Sequence, residues 1–201
     1  MKIKVAQVKE RSDAKRRIIE TAKKLFYTQG YLATGINQVI AESNVAKNTF
    51  YYYFPSKEAL CVEYLRQRHN AWMGWLHEKV SQIKNPENRI LGLFDYLLEW
   101  MRDCNFRGCA FLNIASEIPD SSSKIREEVS NHKQALQGEI AEMLKTLQQT
   151  SARHKGLKSE EIAQAIYVLF EGAIVSSQIF GTFWPIEAAR KAVKGLLDSG
   201  K

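Results

Sequence analysis

Thr34-Gly-Ile-Asn-Gln-Val-Ile-Ala-Glu-Ser-Asn-Val-Ala-Lys-Asn-Thr-Phe-Tyr-Tyr-Tyr-Phe-Pro-Ser-Lys57 holds two short helical patterns joined by a tight turn. In the first, Ile36, Val39 and Ile40 recur at helical spacing behind Thr34, a residue type suited to a helix start. The second runs from about Ala46 to Phe54, where Pro55 forbids smooth continuation. Phe50 and Phe54 lie four apart and point together, with Val45 and Tyr53 nearby. Lys47, Asn48, Tyr51 and Tyr52 fill the opposite arc, with Thr49 at its edge. A helix that spends so many hydrogen-bonding groups on its outer face is built to lie against something polar.

The charge distribution says what that polar surface is. Residues 1–57 carry eleven Lys or Arg against four acids, so the whole excess of +7 sits there, and the other 144 residues are balanced at 18 and 18. Basic charge confined to one module is the electrostatic footprint of nucleic-acid binding. A helix entering the major groove brings its N-terminal residues to base edges. Asn48 can both donate to and accept from adenine, Lys47 can reach guanine or a phosphate, and tyrosine hydroxyls most often bond phosphate oxygens. Thr34 and Gly35 can offer a hydroxyl and backbone amides to a phosphate. Lys57 opens the next helix, where a cation opposes the macrodipole, so a bound phosphate would turn a liability into a contact.

Outward from this segment the apolar residues keep returning at helical spacing and strand signals are scarce. Ile18, Ala22, Leu25 and Phe26 stripe a first helix, expected to be capped by Ser12 or Asp13 and ended by Gly30. Ser56 is placed to cap a long fourth helix that the Asn85-Pro86 pair stops. Helix five carries Ile90, Phe94, Leu97, Leu98 and Met101, and a short sixth ends near Ile118. The seventh carries Ile125, Val129, Leu136, Ile140 and Leu144, the eighth starts at Ser159, and the ninth begins at Pro185. The expected architecture is all-α, about nine helices, with a three-helix helix-turn-helix DNA-binding domain over residues 1–57 on a larger helical bundle over 58–201. No stretch approaches ~18 uninterrupted apolar residues, so no membrane span is expected. Cys61, Cys104 and Cys109 are an odd set, which argues against a secreted disulfide framework and for the cytoplasm. No nucleophile–base spacing, phosphate loop or metal-ligand motif is present, so neither catalysis nor a metal or other cofactor is expected.

Residues 14–60 resemble the DNA-binding domain of TetR/AcrR-family transcriptional regulators. The resemblance rests on Gly30-Tyr31, Thr34, the run Val45-Ala46-Lys47-Asn48-Thr49-Phe50-Tyr51-Tyr52-Tyr53-Phe54, and Ser56-Lys57-Glu58. Three positions depart from the family pattern: Ala46 replaces the usual serine, Asn48 the common glycine, and Ala59 a capping-box glutamate. The resemblance implies an obligate homodimer on palindromic operator DNA, its last two helices pairing into a four-helix bundle. It also implies a repressor released by a small-molecule effector.

The residues agree with a dimer independently. Tyr167 to Phe170 and Ala173 to Val175 make helix eight apolar on more than one side, and Gly172, Ser176 and Ser177 allow close approach. The interface is expected at Ile166, Phe170, Ala173, Ile174 and Ser177 of helix eight. Ile186, Ala189, Val193 and Leu197 of helix nine complete it. An effector pocket, mostly apolar with a few polar groups, is expected from the aromatic residues Trp72, Trp75, Phe94, Trp100, Phe111, Tyr167 and Phe170. Its polar groups would be Asn113, Glu117, His132, Glu171 and Gln178, with Cys109 beside them. The alternative is a redox- or electrophile-sensing repressor. Cys109, beside Arg107 and a helix start, would then react, and Cys104 would resolve the oxidised form.

Overall fold

The computed structural model describes the backbone of residues 2–199 and the side chains of 13–199. The described residues form nine α-helices and one 3-10 turn, with no strand. The helices are α1 (Lys2–Thr28), α2 (Ile36–Glu42), α3 (Lys47–Tyr53), α4 (Lys57–Ser81), α5 (Pro86–Asp103), α6 (Ala110–Glu117), α7 (Lys124–Thr150), α8 (Ser159–Phe180) and α9 (Trp184–Asp198). They group into two compact units. One holds residues 1–69 and 110–130, the other 70–109 and 131–201.

In the first unit, Ile18, Ala22, Leu25 and Phe26 bury one stripe of α1. Phe26 meets Tyr31 and Tyr64 with ring centroids 5.5 and 5.8 Å away. Phe50 and Phe54 of the α3 segment are buried together, 6.2 Å apart. The α2–α3 turn needs a left-handed residue, and Asn44 supplies it at φ 52, a conformation asparagine tolerates better than most. Arg17 of α1 donates to the Ser43 and Asn44 carbonyls at 3.1 and 3.4 Å, tying that turn to the first helix. Ser56 caps α4 as expected, its hydroxyl accepting the Ala59 N–H at 3.0 Å.

Two other helix starts differ from expectation. Helix α1 runs back through Ser12 and Asp13 to Lys2. Ser12 lies outside the described side chains, and Asp13, inside the helix, pairs with Arg16 at 3.2 Å. Helix α2 is preceded by Gly35, with no side-chain cap. Thr34 is fully buried, and its hydroxyl donates to the Gly30 carbonyl at 2.7 Å.

The second unit is built on α5, α8 and α9, which pack against one another. Asn85 caps α5, its side chain accepting the Asn88 N–H at 2.9 Å. Helix α4 stops at Ser81, before the Asn-Pro pair. Ile83 then tucks against Gly92, where a Cβ would collide with the Ile83 Cδ1. Trp72 is the hub of an aromatic core, with edge contacts to Tyr96 (5.4 Å), Trp100 (6.2 Å), His132 (5.3 Å) and Phe170 (6.4 Å). Helix α8 is long and apolar enough to span a membrane by length and composition. However, one of its faces, through Ile166, Phe170, Ala173 and Ile174, is the core of this unit.

Candidate nucleic-acid interface

Helix α3 is only seven residues long, so its orientation comes from packing rather than from its own stability. Phe50, 0% exposed, anchors one side. The opposite side presents Lys47, Asn48, Tyr51 and Tyr52 to solvent, with Thr49 half-buried. Tyr51 stands edge-on to Phe50 at 5.3 Å, and Tyr52 edge-on to Tyr53 at 4.9 Å, so packed rings hold both hydroxyl-bearing side chains in place. Five polar side chains expected to face DNA therefore share one face on a rigid base. Gly35 is also exposed, at the start of α2.

Thr34 and Lys57 do not join them. The Thr34 hydroxyl is spent inside the α1–α2 turn. The Lys57 ammonium donates to the carbonyls of Tyr31 (2.9 Å), Thr34 (3.0 Å) and Leu32 (3.5 Å) and lies 4.4 Å from the Tyr31 ring centroid. Three acceptors use its three donors, which leaves none for a phosphate. Burial lowers the Lys57 ammonium below its ordinary value and pushes the Tyr31 phenol up to about 12.

The side chains expected at a dimer interface are also elsewhere. Ile166, Phe170, Ala173, Ile174, Ser177, Ile186, Ala189, Val193 and Leu197 are all buried within the protomer. The apolar surface of α8 is instead a second stripe at helical spacing: Val168, Val175 and Ile179, 65, 41 and 70% exposed. Exposed Gly172 lies between them. Phe180 and Trp184 extend the stripe, 59 and 55% exposed, with their rings 5.7 Å apart. The sequence signal was the apolar fill of α8 on more than one side; assigning the faces needed the packing partners.

The expected effector-pocket residues are divided between the two units. Trp72, Trp100, Phe94, Phe170 and His132 pack on each other in the core, and Trp75 meets Tyr96 at 5.1 Å. Phe111, Asn113 and Glu117 belong to the first unit. The Glu117 carboxylate is committed to the backbone amides of Tyr31 and Leu32 at 3.1 and 2.6 Å. Two surface grooves of the second unit, of ≈ 410 and ≈ 480 Å³, are lined by other residues, among them His77, Arg89 and Glu139 in one and Gln137, Ala141 and Ala163 in the other.

What the sequence did not reveal is a polar cluster around Cys109. Lys133 of α7 donates to both Glu171 carboxylate oxygens at 2.7 Å, and its Nζ lies 3.5 Å from the Cys109 sulfur. Both side chains of the ion pair are 14% exposed. Burial works against the ammonium, but the charges of Cys109 and Glu171 outweigh it, and the Lys133 pKa lies above the ordinary value. Burial, then Glu171, raises Tyr167 alongside. Gln178 closes on Gly108, where a Cβ would collide with its Oε1. Cys104 caps the end of α5, half-buried, its sulfur 3.6 Å from the Met101 carbonyl.

Residues 18–64 match the model of the bacterial regulatory proteins, tetR family, and residues 86–193 match that of the tetracyclin repressor-like C-terminal domain. The chain is 25% identical to the transcriptional repressor NemR of Escherichia coli over 195 residues, covering 92% of this chain and 94% of that protein. The crystal structure of E. coli NemR in its reduced form superposes with a TM-score of 0.77 over 91% of this chain and 96% of that one. A TetR-family transcriptional regulator from Streptomyces coelicolor, also 25% identical, superposes with a TM-score of 0.83 over 94% and 96%.

Proposed function

The chain belongs to the TetR family of bacterial transcriptional regulators, and from that premise we propose that it is a repressor that binds a palindromic operator as a homodimer and leaves it when a small-molecule effector binds. Residues 1–57 read DNA, and residues 58–201 carry dimerisation and sensing. One observation carries this reading: the solvent-facing side of α3, where Lys47, Asn48, Tyr51 and Tyr52 stand on a buried phenylalanine. Asn48 and Lys47, in the first turn, meet base edges, and the tyrosine hydroxyls and Thr49 meet phosphates. The apolar stripe Val168, Val175, Ile179, Phe180 and Trp184 supports the dimer, since a patch of that kind on a soluble regulator calls for a partner. A two-fold dimer reads half-sites one helical turn apart, ~34–36 Å, or a multiple of it. This work is done on DNA in the cytoplasm, by binding rather than by catalysis.

The test is selection of random duplexes on the wild-type protein, followed by titration of the recovered sequence at several salt concentrations. A two-fold symmetric site and an affinity that falls steeply with salt are expected. Binding that is indifferent to salt, or unaltered in a Lys47→Ala/Tyr51→Ala variant, would overturn the reading.

The Cys109–Lys133 contact favours a second reading, in which the signal is chemical modification of the thiol. An ammonium 3.5 Å from the sulfur stabilises the negative charge on it as it attacks. Attack on hydrogen peroxide forms an S–O bond and breaks the O–O bond; the departing hydroxide takes the proton given up by the thiol and leaves as water, and the sulfur becomes a sulfenic acid. Condensation of that group with the Cys104 thiol would form a disulfide and release a second water. Peroxide should then release the operator from the wild type and not from Cys109→Ser; release from both would leave the non-covalent effector as the signal.

A further inference from the structure

The α1–α2 turn, residues 30–34, is gripped by two charged side chains from distant parts of the chain. Gly30 starts it at φ 101, a conformation that favours glycine. The turn exposes carbonyls and amides that no helix ladder satisfies, and such groups need partners. Lys57, the first residue of α4, takes the carbonyls of Tyr31, Leu32 and Thr34. Glu117, the last residue of α6, takes the amides: Oε1 accepts from Tyr31 at 3.1 Å and Oε2 from Leu32 at 2.6 Å. A Cβ on Gly30 would lie 2.9 Å from the same Oε1, so the glycine also makes room for the carboxylate. Lys57 is part of the helix-turn-helix neighbourhood in sequence. Glu117 is 85 residues beyond Leu32.

We propose that Glu117 is a positioning residue for DNA binding. The turn it holds delivers the chain into α2, and α2 with its tight turn sets the direction of α3. A charged acceptor on two backbone amides is a stronger tie than a neutral one. The last turn of α6 thereby fixes where the reading face stands, although α6 contributes no DNA contact. This inference rests on the reading of α3 as the DNA-contacting helix.

Sign separates the proposal from simple electrostatics. Glu117→Gln removes a negative charge from a module that binds a polyanion, so charge alone predicts tighter binding. Loss of the grip predicts weaker binding, by roughly tenfold, the scale of a hydrogen bond to a charged group. Glu117→Asp keeps the charge and shortens the reach by one methylene, so weaker binding there owes nothing to net charge. It also serves if Glu117→Gln folds poorly. Both full-length variants are titrated against the operator selected with wild type, alongside hydrogen exchange of the Tyr31 and Leu32 amides. Weaker binding, an unchanged salt dependence and faster exchange at those two amides are expected. Wild-type affinity or better in the folded variants, with the two amides exchanging faster, would overturn the proposal and leave the DNA reading intact. A wild type that binds no duplex in a salt-sensitive way would remove that reading and this inference with it.

Discussion

Two exposed faces of this chain are made of opposite chemistry. On α3 the solvent side carries an ammonium, an amide and two phenols, each able to form hydrogen bonds outward. On α8, beyond the exposed Glu160, Glu161 and Gln164 of its first turns, it carries Val168, Val175 and Ile179, continued by Phe180 and Trp184, with almost nothing to offer water. Both helices bury an apolar side of their own, Phe50 and Phe54 in one, Ile166, Phe170 and Ile174 in the other. The difference therefore lies in the second side alone. A surface rich in donors costs little to leave in water and gains specificity against a polyanion. An apolar stripe is disfavoured in water and gains most from another apolar surface. Exposure by itself distinguishes nothing; what the exposed groups can do in water does.

The comparison can be broken most forcefully at the boundary between the two sides of α8. Phe170→Ala should cost about 3–5 kcal/mol of folding stability, because Phe170 fills the aromatic core. Denaturant unfolding measures it, and the same variant should dimerise normally wherever it is folded. Ile179→Glu should do the reverse. The protomer should still unfold cooperatively, and the dimer should weaken by at least about a hundredfold, or 2.7 kcal/mol. Sedimentation velocity across a concentration series reads this directly. A still-dimeric Ile179→Glu chain would remove the apolar stripe from the interface.

On the reading side the contrast is between two lysines. Lys47→Ala should weaken DNA binding by about 1–3 kcal/mol if it reads a base, or lower the salt slope by about 0.9 if it meets one phosphate. Lys57→Met should leave the salt slope alone and lower the melting temperature, because its ammonium is tied to three backbone carbonyls. A reduced slope in Lys57→Met would restore it to the DNA contacts. Smaller still is Ser56→Ala, which removes the cap of α4 and should cost about 1 kcal/mol by thermal unfolding.

Lys133 is read through the slope of stability against pH, in base. Its folded pKa is raised, so its contribution to stability is complete below the unfolded value, about 10.4, and is lost as pH rises through the higher folded value. Melting temperatures followed into alkaline buffer should fall more steeply for the wild type than for Lys133→Met.

The helices themselves were legible because hydrophobic periodicity is a local property. The stripes on α1, α5 and α7 are buried at the residues that periodicity names: Ile18 and Leu25, Ile90 and Phe94, Ile140 and Leu144. The outward residues of α3 were legible for the same reason, since seven residues admit one arrangement once Phe50 and Phe54 point inward. Lys57 and Thr34 were misread because both can serve a phosphate or a backbone turn equally well, and only the position of the carbonyls chooses. The sensor residues are hard to read from sequence for a related reason. Aromatic abundance on α4, α5 and α8 fits a packed core as readily as a cavity, and the rings lie in contact.

From its sequence alone this protein's helical class, the outward-facing residues of α3 and the location of its excess positive charge could be derived, because periodicity, capping and charge act over neighbouring residues. Tertiary structure alone decided which side of α8 is core and which is surface. It also spent the Lys57 ammonium on a turn and joined Cys109 to Lys133 and Glu171. Glu117 reached the Tyr31 and Leu32 amides in the same way. Those outcomes depend on groups far apart in the chain competing for the same partners, and a competition of that kind is settled only when the helices pack.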